Sequence, residues 1–303
     1  MHYEMGAGMT HQRKEARAGL IGFGIQRSLT PAMHMREGQA QGLVYAYELI
    51  DLNERKKTPD DLEALISEAE ERGFCGLNIT YPCKQRVLPL LTEVSGDARR
   101  LGAVNTVVLR DGRRIGHNTD WSGFAEGLRR QLPDADLSSV VQIGAGGAGA
   151  ATAFAVLQMG AKTLSIFDID AQRADELADE MAKLFPEAEV VAGRDLESAM
   201  ASASGLVHAT PMGMDKHPGL PLPEQFLNPP LWVAEIVYFP LETALLQTAR
   251  RRGCQVANGG GMAVFQAVGA FALFTGLVPD AQRMLAHFAE LTGTDQVALA
   301  RLA

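Results

Sequence analysis

Apolar and polar positions along the chain switch repeatedly between short continuous runs and helical spacing. Residues 18–25, AGLIGFGI, form an apolar run ending in glycines, which reads as a buried strand. TPAMHMREGQAQG then opens a helix with proline at a favourable first position. YAYELIDL (45–52) reads as a second strand. TPDDLEALISEAEERG (58–73) has a Thr cap, a Pro, two acids in the first turn and a terminal Gly, all helix signals. FCGLNIT (74–80) is a third strand, and the following KQRVLPLL is compatible with a helix. Within 102–120, RDGR between two apolar runs predicts a hairpin. This alternation predicts an α/β domain with a mostly parallel sheet.

A second unit begins near Trp121. SSVVQIGAGGAGAATAFAVLQMGAKTLSIFDID reads as strand, glycine turn, helix and strand. ADELADEMAKLF and LESAMASA are helices, and AEVVAG and GLVHAT are strands. LWVAEIVY and CQVAN are two more strands, with TALLQTARRRG as the helix between them. Together they make a Rossmann-like unit. GMAVFQAVGAFALFTGL and PDAQRMLAHFAELTG read as two final helices.

GAGGAG supplies Gly144, Gly146 and Gly149, with Ala145, Gly147 and Ala148 between them, in the pattern G-x-G-x-x-G. It follows a strand and opens an apolar helix. The first glycine permits the tight turn, the second admits a pyrophosphate, and the third lets helix and strand approach. The helix N-terminus then offers free N–H groups to the phosphates. Asp168 follows 19 residues after Gly149, at the end of the next strand. An acid there accepts hydrogen bonds from the adenosine ribose and repels a 2′-phosphate; the plainer alternative is a turn or capping aspartate. Ile169 and Asp170 bring no base, so this stretch favours NAD over NADP.

The formal net charge of -8 argues against nucleic acid or an anionic membrane as the main partner. Cys75, Cys83 and Cys254 form no paired framework, which points to a reducing cytoplasm. No CxxC or HExxH is present, so no metal site is expected. Cys83, beside Lys84, is either an activated thiol or an inert buried one. Residues 1–17 read as a loose polar arm with no secretory signal. Residues 140–161 carry almost no charge, but Gln142, Thr152 and Gln158 fit a buried strand, turn and helix better than a membrane span.

SLTPAMH (28–34), NITYPCK (78–84), GAVNT (102–106), GHNTD (116–120), GAGGAG, ATPMGM (209–214), VYFP (237–240) and GMAVFQA (261–267) occur in this order. Together they resemble the shikimate dehydrogenase family, and within it the quinate/shikimate dehydrogenases, from about Gly19 to the last helices. The resemblance implies two domains flanking a cleft. Residues 18–120 with 261–303 would bind substrate, and residues 121–260 would form the NAD-binding Rossmann domain. It also implies reversible hydride transfer between NAD(P) and a ring hydroxyl or ketone of a small hydroxylated cyclic carboxylate, quinate or shikimate. A homodimer stays open.

By the same resemblance, Lys84 matches the family's catalytic lysine and Asp120 its aspartate partner. Composition alone leaves Lys84 open between a solvated charge and a proton carrier. Ser28 and Thr30 match the hydroxyls that bind the substrate carboxylate, and Tyr238 a phenol at that end. Thr80, Asn105, Asp120 and Gln266 match groups reaching the ring hydroxyls. Thr30 also reads as a helix N-cap, and Asn105 as a turn residue. Thr210, Met212, Val237 and Gly259 match the nicotinamide end of the cofactor site. Three departures stand out. Thr30 replaces the second serine usual in shikimate-specific members. Asp168-Ile169-Asp170 stands where NADP-using members have Asn-Arg-Thr. His208 replaces a usual Asn, beside the glycine-rich NGGGM (258–262); it either alters the cofactor pocket or substitutes neutrally. A shikimate-only or aminoshikimate-type paralogue remains a rival. So does a non-catalytic ligand sensor, which would be expected to have lost Lys84 or Asp120.

Overall fold

The computed structural model describes residues 15–293 and contains two six-stranded sheets. β1 (Glu15–Gly22) and α1 (Thr30–Ala40) lead to β2 (Val44–Asp51). A 3₁₀ turn over Pro59–Asp61 precedes α2 (Leu62–Glu71) and β3 (Gly76–Ile79). β4 (Glu93–Val94), α3 (Gly96–Leu101), β5 (Thr106–Arg110) and β6 (Arg113–His117) complete the first sheet unit. α4 (Asp120–Gln131) leads to β7 (Ser139–Ile143), α5 (Gly147–Gln158), β8 (Thr163–Phe167), α6 (Ala171–Leu184) and β9 (Glu189–Ala192). α7 (Leu196–Ala201), β10 (Gly205–His208), β11 (Trp232–Glu235), α8 (Ala244–Arg251) and β12 (Gln255–Ala257) follow. α9 (Gly260–Thr275) and α10 (Ala281–Thr292) close the described chain.

Three local expectations change. β1 starts at Glu15, inside the stretch expected to be a loose arm. Glu15, Ala16 and Arg17 pair with Val44, Tyr45 and Ala46, and a ladder needs backbone partners, not apolar side chains. Residues 1–14 of that arm, and 294–303 of the last segment, lie outside the described residues. KQRVLPLL is a turn followed by a 3₁₀ turn at Leu88–Leu90, because Pro89 lacks the N–H that a longer helix needs. The helix α4 was not legible as such; its start is set by contacts described below. The hairpin is present, with Asp111 at φ 53° and Gly112 at φ 71°, the positive angles of a type I′ turn.

The first sheet has order β2-β1-β3-β5-β6-β4. β1 runs parallel to β2 and β3, whereas β5 is antiparallel to both β3 and β6. The segments after β1, after β3, before β5 and after β6 therefore all emerge at one edge. The second sheet is wholly parallel, with order β12-β11-β10-β7-β8-β9. Read from β9 this is the doubly wound order 3-2-1-4-5-6, whose strand direction of progress reverses between β7 and β10. Ligands bind such sheets at the carboxyl ends beside that reversal.

α4 joins the two units. Its Phe124, Ala125 and Leu128 share a core with Phe154, Val156 and Leu164 of the second. Each large apolar side chain buried there stabilises the fold by about 1.5–3 kcal/mol. α9 crosses α4 at glycines: a Cβ on Gly123 would lie 2.5 Å from the Gln266 nitrogen. The far end of α9 returns to the first sheet, where Ala270 and Phe274 pack with Leu20, Tyr47 and Val108. The apolar stretch at 140–161 is β7 and α5. Among the described residues, no helix is long and apolar enough to cross a membrane.

His34 of α1 is fully buried among Tyr45, Tyr47, Phe271 and Phe274. Burial pushes its pKa down from 6.5 to about 3. A lowered folded-state pKa means that the unfolded chain binds the proton first. Its contribution to stability is therefore complete above pH 6.5 and is lost as pH falls toward 3. At pH 5 this amounts to about 2 kcal/mol. Urea unfolding of wild type and His34→Gln at pH 7 and pH 5 checks this: the stability difference between them should shrink at pH 5. An unchanged difference would contradict the assignment.

Candidate active site

The edge of the first sheet gathers the substrate-side candidates. Thr80 N donates to Ile21 O and Phe23 N to Tyr81 O, which holds the segment after β3 against the segment after β1. Lys84 follows a turn closed by Cys83 N on Thr80 O, and Val104 N donates to Lys84 O. Its Nζ lies 2.6 Å from Asp120 Oδ2. Both side chains are partly open to solvent, at 20% and 11% exposure, so the pair is held and still reachable. Cys83 beneath it is buried, and burial pushes its thiol up, away from thiolate. That favours the inert reading.

Asp120 opens α4, facing the positive end of that helix. Asn118 sets the start: its Oδ1 accepts from Asp120 N at 3.0 Å and Trp121 N at 3.3 Å, and its Nδ2 donates to Ala103 O at 3.0 Å. A buried polar chain leads there from the sheet. Tyr47 donates to Asn78 Oδ1, and Asn78 Nδ2 donates to Thr106 Oγ1. Thr106 and Thr119 meet at Asn105, whose Oδ1 also accepts from Thr119 N at 2.7 Å. Asn105 thus ties β5 to α4 through its Oδ1 and one Nδ2 hydrogen, and its second Nδ2 hydrogen is what remains for a ligand. Asn118, Thr119, Thr106 and Asn78 were not singled out from sequence. Their signal was their place inside GHNTD, GAVNT and NITYPCK.

Ser28 is half-buried and accepts from Thr30 N at 3.4 Å. Thr30 is the first residue of α1 rather than its cap, and lies buried. Tyr238 reaches this region from the second unit. It packs beside Leu29 and Met33 in a cluster with α9 and α10. Arg27 stacks over Phe239, 5.0 Å from the ring centroid, which joins the two segments again. Burial pushes the Tyr238 phenol up, so the hydroxyl keeps its proton. Gln266, on α9 beside Gly123, donates from Nε2 to Ala263 O of its own helix at 3.0 Å. That N–H is spent locally, and its Oε1 and second N–H are what remain for a ligand.

The cofactor-side candidates lie at the carboxyl ends of the second sheet. The glycine turn follows β7, Thr210 and Met212 follow β10, Val237 follows β11, and Gly259 follows β12. A Cβ on Gly144, at φ 112°, would meet Ala209 O at 2.5 Å; one on Gly149 would meet Gly144 O at 2.2 Å. Gly146 and Gly147 are exposed with open space beside them, while Ala145 and Ala148 are half-buried. An exposed glycine turn ahead of a helix N-terminus fits a dinucleotide pyrophosphate.

Asp168 supports that turn. Its Oδ2 accepts from Ala145 N at 2.7 Å and its Oδ1 from Asp170 N at 2.9 Å. The plainer turn role is therefore real. A carboxylate has about four acceptor positions, so the half-buried group can still receive ribose hydroxyls. Arg173 ion-pairs with Asp170 at 3.3 Å. The glycine run at 259–261 also has a reason. A Cβ on Gly259 would lie 2.4 Å from Ile236 O, and one on Gly261 2.9 Å from Gly127 Cα.

Comparison with known proteins identifies the family and the fold. The family model described as shikimate dehydrogenase substrate binding domain matches residues 20–107. A protein of Pseudarthrobacter chlorophenolicus named shikimate dehydrogenase (NADP(+)) is 54% identical, over 96% of this chain and 100% of its own length. A protein of Corynebacterium efficiens named quinate/shikimate dehydrogenase (NAD(+)) is 50% identical, over 90% of this chain and 97% of its own. The solved structure of quinate dehydrogenase from Corynebacterium glutamicum in complex with NAD aligns with TM-score 0.88 at 48% identity, covering 92% of this chain and 100% of that one. Likeness of this degree, over nearly the full length on both sides, makes the chain a member of the shikimate dehydrogenase family.

Proposed function

We propose that this chain is an NAD-dependent quinate/shikimate dehydrogenase. It interconverts quinate with 3-dehydroquinate, and shikimate with 3-dehydroshikimate, with Lys84 and Asp120 moving the proton. The Lys84–Asp120 contact carries this reading: a charge-assisted pair at 2.6 Å, partly open to solvent, at the edge of the first sheet where the segments after β3 and β6 come together. The bound nicotinamide supplies a reversible hydride acceptor. The chain's own groups do the rest. In oxidation, the Lys84 amine, once it has released a proton to solvent, takes the hydroxyl proton as the hydride leaves the carbon that bears that hydroxyl; in reduction the ammonium returns a proton to the ketone oxygen. Asp120 holds the ammonium in place. Ser28, Thr30 and Tyr238 donate to the substrate carboxylate, because neutral hydroxyls bind an anion without a buried counter-charge. Thr80, Asn105, Asp120 and Gln266 meet the ring hydroxyls. Thr210, Met212, Val237 and Gly259 line the nicotinamide side, and Asp168 faces the adenosine ribose.

A second reading is shikimate oxidation with NADP, favoured by the name of the 54% identical relative. Asp168, assigned here to the adenosine ribose, opposes it, since its charge would repel a 2′-phosphate there, and Arg173 is already paired with Asp170. Initial rates with quinate and shikimate, each with NAD and NADP, decide between them. The expected result is turnover of both substrates with NAD. Robust shikimate oxidation with NADP and no detectable quinate oxidation would overturn the proposal.

A further inference from the structure

His208 ends β10 and Glu235 ends β11, directly opposite each other in the parallel ladder. Both side chains are wholly buried. The His208 Nδ1 lies 2.9 and 3.1 Å from the two carboxylate oxygens. Glu235 also accepts from Val237 N at 3.1 Å and from the Thr243 hydroxyl, which caps α8, at 3.3 Å. On the other side of the ring, Nε2 lies 2.5 Å from Thr210 Oγ1. That oxygen accepts from Met212 N at 3.2 Å.

An apolar pair would fill these two positions with less desolvation cost. What the polar pair adds is direction. The carboxylate places the imidazole proton on Nδ1. With the proton on Nδ1, Thr210 Oγ1, accepting from Met212, turns its own proton to Nε2, which favours one direction of the hydroxyl. The same carboxylate holds the Val237 amide. Both ends of the network thus emerge at the carboxyl ends of β10 and β11, beside the point where the strand order reverses.

We propose that His208 and Glu235 form a positioning pair for the nicotinamide-side half of the bound dinucleotide, holding the Thr210 hydroxyl and the Val237 segment in fixed directions. The inference rests on the proposed assignment of Thr210 and Val237 to the cofactor. His208 does not touch the cofactor; it acts through Thr210.

The test uses His208→Asn, Thr210→Val and the double variant. Asparagine keeps an amide donor near the Nδ1 position, so Glu235 is not left unpaired, but it does not reach Thr210. Valine keeps the shape of threonine without the hydroxyl. NADH affinity is read by fluorescence titration. ADP-ribose, which lacks the nicotinamide, is titrated by calorimetry and reports whether the adenine half and the fold are intact. His208→Asn should weaken NADH binding about 5–20-fold, the range for one well-placed hydrogen bond. ADP-ribose affinity should stay within about twofold. The double variant should be no weaker than the weaker single variant, because both remove the same contact.

Unchanged NADH affinity in His208→Asn would overturn the proposal. Equal loss of NADH and ADP-ribose would also overturn it, by showing general loosening. Multiplying effects in the double variant would show that His208 does not act through Thr210. If Thr210→Val itself leaves NADH binding unchanged, the assignment of Thr210 to the cofactor fails, and the inference with it.

Discussion

Replacing Lys84 with alanine is expected to cut kcat about 10²–10⁴-fold, the usual contribution of general acid–base catalysis. The KM for quinate should move far less, because the carboxylate and most ring hydroxyls keep their proposed partners. The fold should survive. Lys84 is anchored by its backbone carbonyl on Val104 N, its side chain is partly open, and Asp120 keeps its backbone contact with Asn118. The thermal midpoint should therefore stay near that of the wild type. Stopped turnover with retained NADH binding and an unchanged midpoint would place the loss at the chemical step. Near-wild-type kcat in the variant would remove Lys84 from the mechanism. Asp120→Asn should give a mixed effect on kcat and KM, since that carboxylate holds the lysine and, on the proposed reading, also meets a hydroxyl.

Asp168→Ala should change cofactor choice. Two like charges about 4 Å apart repel by ~4 kcal/mol at an effective dielectric near 20. Partial exposure and salt reduce this to about 2–3 kcal/mol, a preference for NAD of roughly 30–150-fold. Alanine removes that repulsion. It also releases Ala145 N, which Asp168 holds at 2.7 Å, so the glycine turn loses an anchor. The value of kcat/KM for NAD should fall about 10–100-fold, and the value for NADP should fall less or rise. The substrate end is remote from this change, so the KM for quinate should hold. The measurement is kcat/KM for both cofactors, in wild type and variant, at one ionic strength. A wild-type preference for NADP would mean that Asp168 serves the turn alone and that a base elsewhere takes the phosphate.

Much of this architecture is written in short-range pattern. The strand before GAGGAG, the helix after it, the hairpin at Asp111-Gly112 and the two α/β units follow from runs, turn residues and caps whose partners lie a few residues away. The same local logic placed Asp168 at the end of β8. It left open what Asp168 does, and part of the answer is a contact with Ala145, 23 residues back. Lys84 and Asp120 are 36 residues apart, and only antiparallel β5 and β6 bring the two loops to one edge of the sheet. KQRVLPLL looked helical because its apolar content suits a helix, but Pro89 and the tie from Val104 to Lys84 hold it as a turn. His208 gave no local clue, since the ring is explained by Glu235 on the neighbouring strand. The glycines at 259–261 had no local meaning either; each answers to a backbone or ring brought close by another element. Secondary structure and the glycine turn were legible because backbone preference is set by sequence neighbours. Close approach and buried hydrogen bonding were decided by the tertiary structure alone, because both depend on groups that only the folded chain brings within a few ångströms.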